Sequence, residues 1–174
     1  MEIRFSDYMI RSWQMDDAPA IVKYANNKRI WRNLRDAFPH PYEFSDAQDF
    51  LKKVTAHEPE CVFAISTKVE AIGGIGLVIG EDVHRFSAEL GYWLAEPFWN
   101  QGIMTQAVKR IVEYAFANLN LYRIYAEPYE GNDASARVLE KAGFQYEGRL
   151  KTSVYKDGKL LDQLLYARVN RQTG

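Results

Sequence analysis

The chain holds 174 residues with a formal net charge of −1, 47% of them hydrophobic and 26% charged. That length suits one domain with a core of its own, and the balance is too apolar for disorder, lacks an apolar run that would span a bilayer, and offers no basic footprint for a nucleic-acid backbone. One cysteine and three scattered histidines, His40, His57 and His84, leave no internal disulfide and no structural zinc or other metal site to expect. The opening "MEIRFSDYMIRSW" is charged and alternating, without the basic stretch, apolar core and cleavage site of an export signal, so a cytoplasmic location is expected.

In chain order, "YMIRSW" alternates as a strand, and "MDDAPAIVKYANN" comes next with acidic residues and Pro19 in its first turn, the chemistry of a helix start. A short helical piece is expected around "KRIWRNL". "DAFPHPYEF" reads as a loop, because Pro39 and Pro41 each remove a donor and push the preceding residue toward an extended conformation. In "SDAQDFLKKV", Ser45 and Gln48 fit an S-x-x-Q capping box at the start of the next helix. "CVFAIST", "AIGGIGLVI" and "AELGYWL" then form an antiparallel meander, with Cys61 expected as a buried strand residue and not as a nucleophile. Gly73, Gly74 and Gly76 lie within a strand pattern and lack a nucleotide-loop spacing, so a bulge or close strand packing is expected there.

Ile103, Ala107, Ile111 and Ala115 recur every fourth residue, which predicts a helix from Ile103 to about Asn118. A strand "YRIYAEP", a helix "NDASARVLEKAGF" closed by Gly143, and a hairpin turned at "KDGK" complete the chain. No repeat, low-complexity tract or linker marks an internal boundary, so residues 1–174 are expected to form a single α/β domain with helices on both faces of one mixed sheet.

Three stretches can carry chemistry. In "WNQGIMT" a glycine stands directly before a helix whose first amides have no intrahelical partners; such an end attracts anions, and Gly102 lets phosphates approach the backbone, although glycine there also serves as plain punctuation. Asn132 and Ser135 in "NDAS" are good helix caps, and their spacing also puts them on one face of the first turn, where both can address one ligand. Glu89 in "SAELGYWL" is a mid-strand carboxylate, either salt-bridged or solvated, or set in a cleft as a general base.

Together "GYWLAEPFWNQGIMTQAV", "NDASARVLEKAGF" and "EGRLKTSVYKDGKLLDQLLYARV", in that order, resemble the GNAT acyltransferase superfamily, in particular its ribosomal-protein-alanine N-acetyltransferase branch; "IRSWQMDDAPAI" and the "FPHPY" loop resemble it too. The resemblance covers nearly the whole chain and implies a splayed, largely antiparallel mixed sheet, with acetyl-coenzyme A held in a V between the family's fourth and fifth strands. It implies that the backbone of Trp99, Asn100, Gln101, Gly102, Ile103, Met104 and Thr105 holds the diphosphate and that Tyr92, Trp93 and Leu94 pair with pantetheine. By the same resemblance Asn132 touches pantetheine, Ser135 lies near the thioester sulfur, and Lys141 reaches the adenosine phosphate or forms a surface ion pair. Asn100 departs from the glycine usual in this branch, Gln106 from its glutamate, and Trp99 from the superfamily's Gln or Arg.

The activity implied is that of an N-acetyltransferase moving acetyl from acetyl-coenzyme A directly to a primary amine, with Glu89 as base and Ser135 supporting the thiolate. Phe38, His40 and Tyr42 are expected to line the acceptor pocket, the alternative being that Phe38 and Tyr42 anchor their loop. The acceptor is a protein N-terminus or a small amine such as a polyamine, an amino acid or an antibiotic; a non-catalytic acyl-coenzyme A module is the rival class. No nucleic-acid or membrane partner is expected, and the state is monomer or homodimer.

Overall fold

The alternation of the first residues builds a hairpin and not one strand: β1 (Glu2–Phe5) pairs antiparallel with β2 (Tyr8–Ser12) through a turn in which Ser6 takes φ 49°. The structure is a computed structural model and describes residues 1–170. A single eight-stranded sheet runs in the order β1-β2-β3-β4-β5-β6-β8-β7, adding β3 (Val62–Ser66), β4 (Ala71–Ile79), β5 (Ser87–Leu94), β6 (Arg123–Ala126), β7 (Gln145–Lys156) and β8 (Lys159–Val169). Sheet and helices together make an open, mostly antiparallel α/β fold. Two compact units divide the described residues, one of Met1–Gly76 with Tyr92–Ile103 and the other of Leu77–Gly91 with residues 104–170.

In the first unit, a 3-10 turn (Met15–Asp17) leads into α1 (Ala18–Ala25), with Pro19 in the first turn as expected, and the short α2 (Lys28–Trp31) comes directly after it. Asp17 is buried and fully engaged. Its carboxylate takes both arms of the Arg11 guanidinium at 2.7 Å and the Gln14 N–H at 2.9 Å, which ties β2 to the start of α1. A buried carboxylate is tolerable only with such partners, and it holds the Arg11 guanidinium above its usual pKa. Ala18, Ala20, Ile21 and Ala25 of α1 pack with Ala47 and Leu51 of α3 (Phe44–Thr55), Trp13, Tyr42, Ala64 and Ala71 into one buried cluster. Burial of each large aliphatic chain there contributes about 1.5–3 kcal/mol.

The start of α3 corrects the sequence expectation. The helix begins before Ser45: Glu43 is the N-cap in extended conformation (φ −98°, ψ 166°), and its N–H goes to the Asp46 carboxylate at 2.8 Å. The capping box is therefore Glu43 with Asp46, and not Ser45 with Gln48. A carboxylate is the stronger acceptor at a helix N-terminus, where the dipole favours negative charge, and the buried Tyr42 fixes where the chain enters.

β3 and β4 pair antiparallel, with a register irregularity between Ile65 and Ser66. The backbone bonds Ala95 N–H to Ile72 O and Gly80 N–H to Ser87 O bracket β4 and β5, one index rising as the other falls, so this pair is antiparallel as well. The strand glycines serve close packing, as expected. A Cβ on Gly73 would stand 2.5 Å from the Trp93 carbonyl oxygen, and one on Gly74 2.8 Å from the Trp93 indole nitrogen. Cys61 is buried just before β3, and that burial pushes its thiol pKa up, so it is a core residue.

The helix α4 (Ile103–Asn118), in the second unit from Met104 on, matches the predicted span and buries Ala107, Val108, Ile111, Val112 and Ala115. β5 and β6 are the one parallel pair among the described strands, in register from Ser87 with Arg123 to Glu89 with Tyr125, while β5 itself continues to Leu94. α5 (Asp133–Lys141) ends at Gly143, whose φ of 86° is the left-handed closure that glycine supplies. The final hairpin turns at Asp157 (φ 49°) and Gly158 (φ 79°), the two left-handed residues that a tight hairpin turn requires. β7 reaches back to Gln145, further than expected, with irregularities between Tyr146 and Gly148 and between Leu150 and Val154. Those interruptions hide the strand's alternation in the sequence.

Candidate active site

After β5 ends at Leu94, Pro97 sits in a 3-10 turn (Glu96–Phe98) and the chain reaches α4 through four residues. Trp99 is extended (φ −69°, ψ 159°), Asn100 is left-handed at φ 60°, and Gly102 is left-handed at φ 77°. Asparagine is among the few side chains that accept this region, which accounts for Asn100 at a position where the resembled branch has glycine. Trp99 and Gln101 turn back on the approach segment: the Trp99 Nε1–H donates to the Leu94 carbonyl at 2.6 Å, and the Gln101 Nε2–H to the Pro97 carbonyl at 3.1 Å. Tyr8 holds Gln101 from a second side, its hydroxyl donating to Oε1 at 3.4 Å.

Asn100, Gln101 and Gly102 are exposed, and a Cβ built on Gly102 meets nothing within 4 Å. The turn thus presents open backbone directly before a sixteen-residue helix, where unpartnered amides and the helix dipole suit a phosphate. The group that the resemblance implies, a diphosphate, fits this segment. Ile103 and Met104 are buried and Thr105 is half-buried.

The residues expected beside pantetheine and those expected at the acceptor fall in the same unit. Trp93 and Tyr92 are half-buried and Leu94 is buried. Phe38 meets the Trp93 ring edge-on at 5.9 Å and Tyr42 at 4.9 Å, and His40, exposed, lies 5.7 Å from the Trp31 ring. Tyr42 belongs to the buried cluster, and burial, with the nearby Asp46 charge, pushes its hydroxyl up to about 12. Tyr42 is thus packed into the core of this unit, with Phe38 against it.

In the second unit, Glu89 is half-buried on β5. At the start of α5 the Ser135 N–H is taken by the Asn132 side-chain oxygen at 3.3 Å and by its carbonyl at 3.1 Å, so Asn132 caps the helix. Ser135 is half-buried and Lys141 is exposed on the last turn. Among the described residues no cluster of three or more His, Cys, Asp or Glu side chains is placed to hold a metal, and no helix is long and apolar enough to cross a membrane. A pocket of about 240 Å³ lined by Ser12, Trp13, Thr55, His57, Glu58 and Glu60 shares no residue with the loop.

Sequence reasoning missed Asn27, Arg29 and Glu96. Arg29 pairs with Glu96 and lies 5.0 Å over the Trp99 ring, and Asn27 donates to Glu96 at 2.7 Å. Nothing in local spacing joins residues that far apart in the chain.

Open backbone at a glycine turn before a long helix suits a phosphate-bearing ligand, and the mixed sheet with its helices is an α/β architecture. Comparison with known proteins makes the family plain: the acetyltransferase (GNAT) domain description matches residues 8–145, and the chain belongs to this family of acetyl-coenzyme A-dependent N-acetyltransferases. It is 27% identical to the uncharacterized N-acetyltransferase p20 of Bacillus licheniformis, an alignment covering 99% of this chain and 98% of that one. It is 28% identical to spermidine N(1)-acetyltransferase of Escherichia coli, covering 86% and 79%. Among solved structures, ribosomal-protein-S5-alanine acetyltransferase from Vibrio fischeri is similar at 26% identity and TM-score 0.84, covering 99% and 98%. A RimL ribosomal alpha-N-protein acetyltransferase, solved in complex with coenzyme A, shares the fold at TM-score 0.87 and 23% identity, covering 97% and 98%.

Proposed function

We propose that this enzyme acetylates the N-terminal amine of a protein, as a single domain acting in the cytoplasm, by direct attack of the amine on the acetyl-coenzyme A thioester. The observation that carries the cofactor half is the open backbone at Gly102, with Trp99 and Gln101 turned back from it. In this reading Trp99–Thr105 cradle the diphosphate, Tyr92, Trp93 and Leu94 run beside pantetheine together with Asn132, and Lys141 meets the adenosine phosphate. Phe38 and His40 face the acceptor, with Tyr42 anchoring them from the core.

Similarity along nearly the whole chain to a ribosomal-protein-alanine acetyltransferase supports the protein terminus. An α-amino group, with a pKa of about 7.7–8.0, is partly neutral at cellular pH, whereas a lysine near 10.4 needs far more help from a base. Glu89 accepts the amine proton, directly or through a water, and Ser135 supports the departing thiolate. The spermidine relative supports a second reading, a polyamine acceptor.

A free-thiol assay with acetyl-coenzyme A decides between them. Peptides with N-terminal Ala or Ser are expected to turn over faster than spermidine, and the reverse order selects the polyamine. Glu89→Gln and Ser135→Ala should each lower kcat by about 10²-fold or more; unchanged turnover in both removes these roles.

A further inference from the structure

In the diphosphate loop Gln101 is held by the Pro97 carbonyl and the Tyr8 hydroxyl. Asn100 and Gly102 are exposed and left-handed, and open space lies at Gly102. Ordering an exposed backbone on binding costs affinity, and a backbone held beforehand in the bound conformation avoids that cost. Its neighbour Trp99 is fixed from two sides. The indole edge donates to the Leu94 carbonyl at 2.6 Å, and the Arg29 guanidinium covers the ring from 5.0 Å. Arg29 is itself held by the Glu96 carboxylate, which also accepts the Asn27 Nδ2–H at 2.7 Å. Asn27 closes the circuit, because its Oδ1 accepts the Arg29 N–H at 2.8 Å as the cap of α2.

We propose that Asn27, Arg29 and Glu96 form a brace that locks Trp99 and thereby holds the backbone of Asn100–Gly102 ready for the diphosphate of coenzyme A. They are positioning residues for the cofactor, and the inference rests on the diphosphate-cradle reading of the loop. Arg29 suits the task because its planar group stacks on an indole and grips a carboxylate at once, which lysine does not do. The pair is exposed, 60% for Arg29 and 37% for Glu96. An exposed pair adds little to global stability, so removing it reports on the loop and not on the fold.

The test compares coenzyme A, bound in a calorimeter, with pantetheine, which lacks the diphosphate, followed by ligand-observed NMR. Wild-type protein is expected to bind coenzyme A far more tightly. Arg29→Gln and Glu96→Gln should each raise the Kd for coenzyme A by about tenfold, with the pantetheine Kd and the melting temperature unchanged. Trp99→Phe, which keeps the ring and loses the N–H, should weaken coenzyme A less than Trp99→Leu. An unchanged Kd for coenzyme A in both brace variants, or an equal loss for both ligands, overturns the brace. Wild-type protein that binds pantetheine as tightly as coenzyme A removes the cradle itself, and the brace with it.

Discussion

At the entrance to α5, Asn132 comes after a left-handed Gly131 and turns its side-chain oxygen onto the Ser135 N–H at 3.3 Å. At the entrance to α4, a left-handed Asn100 and Gly102 stand among side chains that face the other way, Trp99 toward Leu94 and Gln101 toward Pro97. Both helices are introduced by small and polar residues. One entrance spends a side chain on its own amides, whereas the other directs its side chains backward and leaves backbone exposed. A glycine before a helix therefore says little alone; the direction of its neighbours' side chains tells a capped entrance from an open one.

The largest effect should come from closing the open entrance. Gly102→Val puts a β-branched residue at φ 77°, a strain of about 1–3 kcal/mol, and a side chain into the approach. A fall of about 100-fold in kcat/KM for acetyl-coenzyme A is expected, which the strain and the obstruction together supply. An unchanged kcat/KM would mean that the diphosphate does not pass this backbone. Gly131 provides the control, since it too is left-handed with nothing within 4 Å of its Cβ position, yet precedes a capped helix. Gly131→Ala should cost stability without a comparable rise in KM.

The capped entrance is split by two smaller substitutions. Asn132→Ala removes the cap and should cost about 1 kcal/mol in thermal or denaturant unfolding. Asn132→Asp keeps an oxygen for the Ser135 N–H and removes the amide donor proposed to meet pantetheine. It should hold near wild-type stability while raising the KM for acetyl-coenzyme A several-fold. If both variants lose stability alone, Asn132 is a cap and nothing more.

Much of this layout is legible in the sequence because it is local. The four-residue recurrence from Ile103 places α4, Pro19 marks the start of α1, and "KDGK" gives the last turn. The order of "GYWL", "NQGIMT" and "NDAS" points to the family. What escapes is set by contacts between distant segments or by competition between near-equal local signals. Asp46 outcompetes Gln48 for the α3 capping box because a carboxylate binds an amide at the helix N-terminus more strongly. The register breaks within β7 blur its alternation, and the brace of Asn27, Arg29 and Glu96 on Trp99 joins segments that no periodicity links.

The smallest expected effect returns to Asn100. Its φ of 60° costs an ordinary residue about 1–2 kcal/mol, asparagine less, and glycine least. Asn100→Gly should therefore leave folding stability within about 0.5 kcal/mol, relief of residual strain offsetting the greater freedom of the unfolded chain. For the cofactor the two effects separate. If the Asn100 side chain only tolerates the turn, the KM for acetyl-coenzyme A stays within about twofold of wild type; if it also touches the diphosphate, KM rises by the several-fold that a lost hydrogen bond gives. The first outcome is expected, because the neighbouring side chains turn back and, in the proposed function, the main chain meets the diphosphate. Asn100→Val is the companion measurement: it keeps a side chain but disfavours φ 60°, and should lower both stability and affinity. A valine variant with unaltered affinity would show that the left-handed turn is not what the cofactor reads.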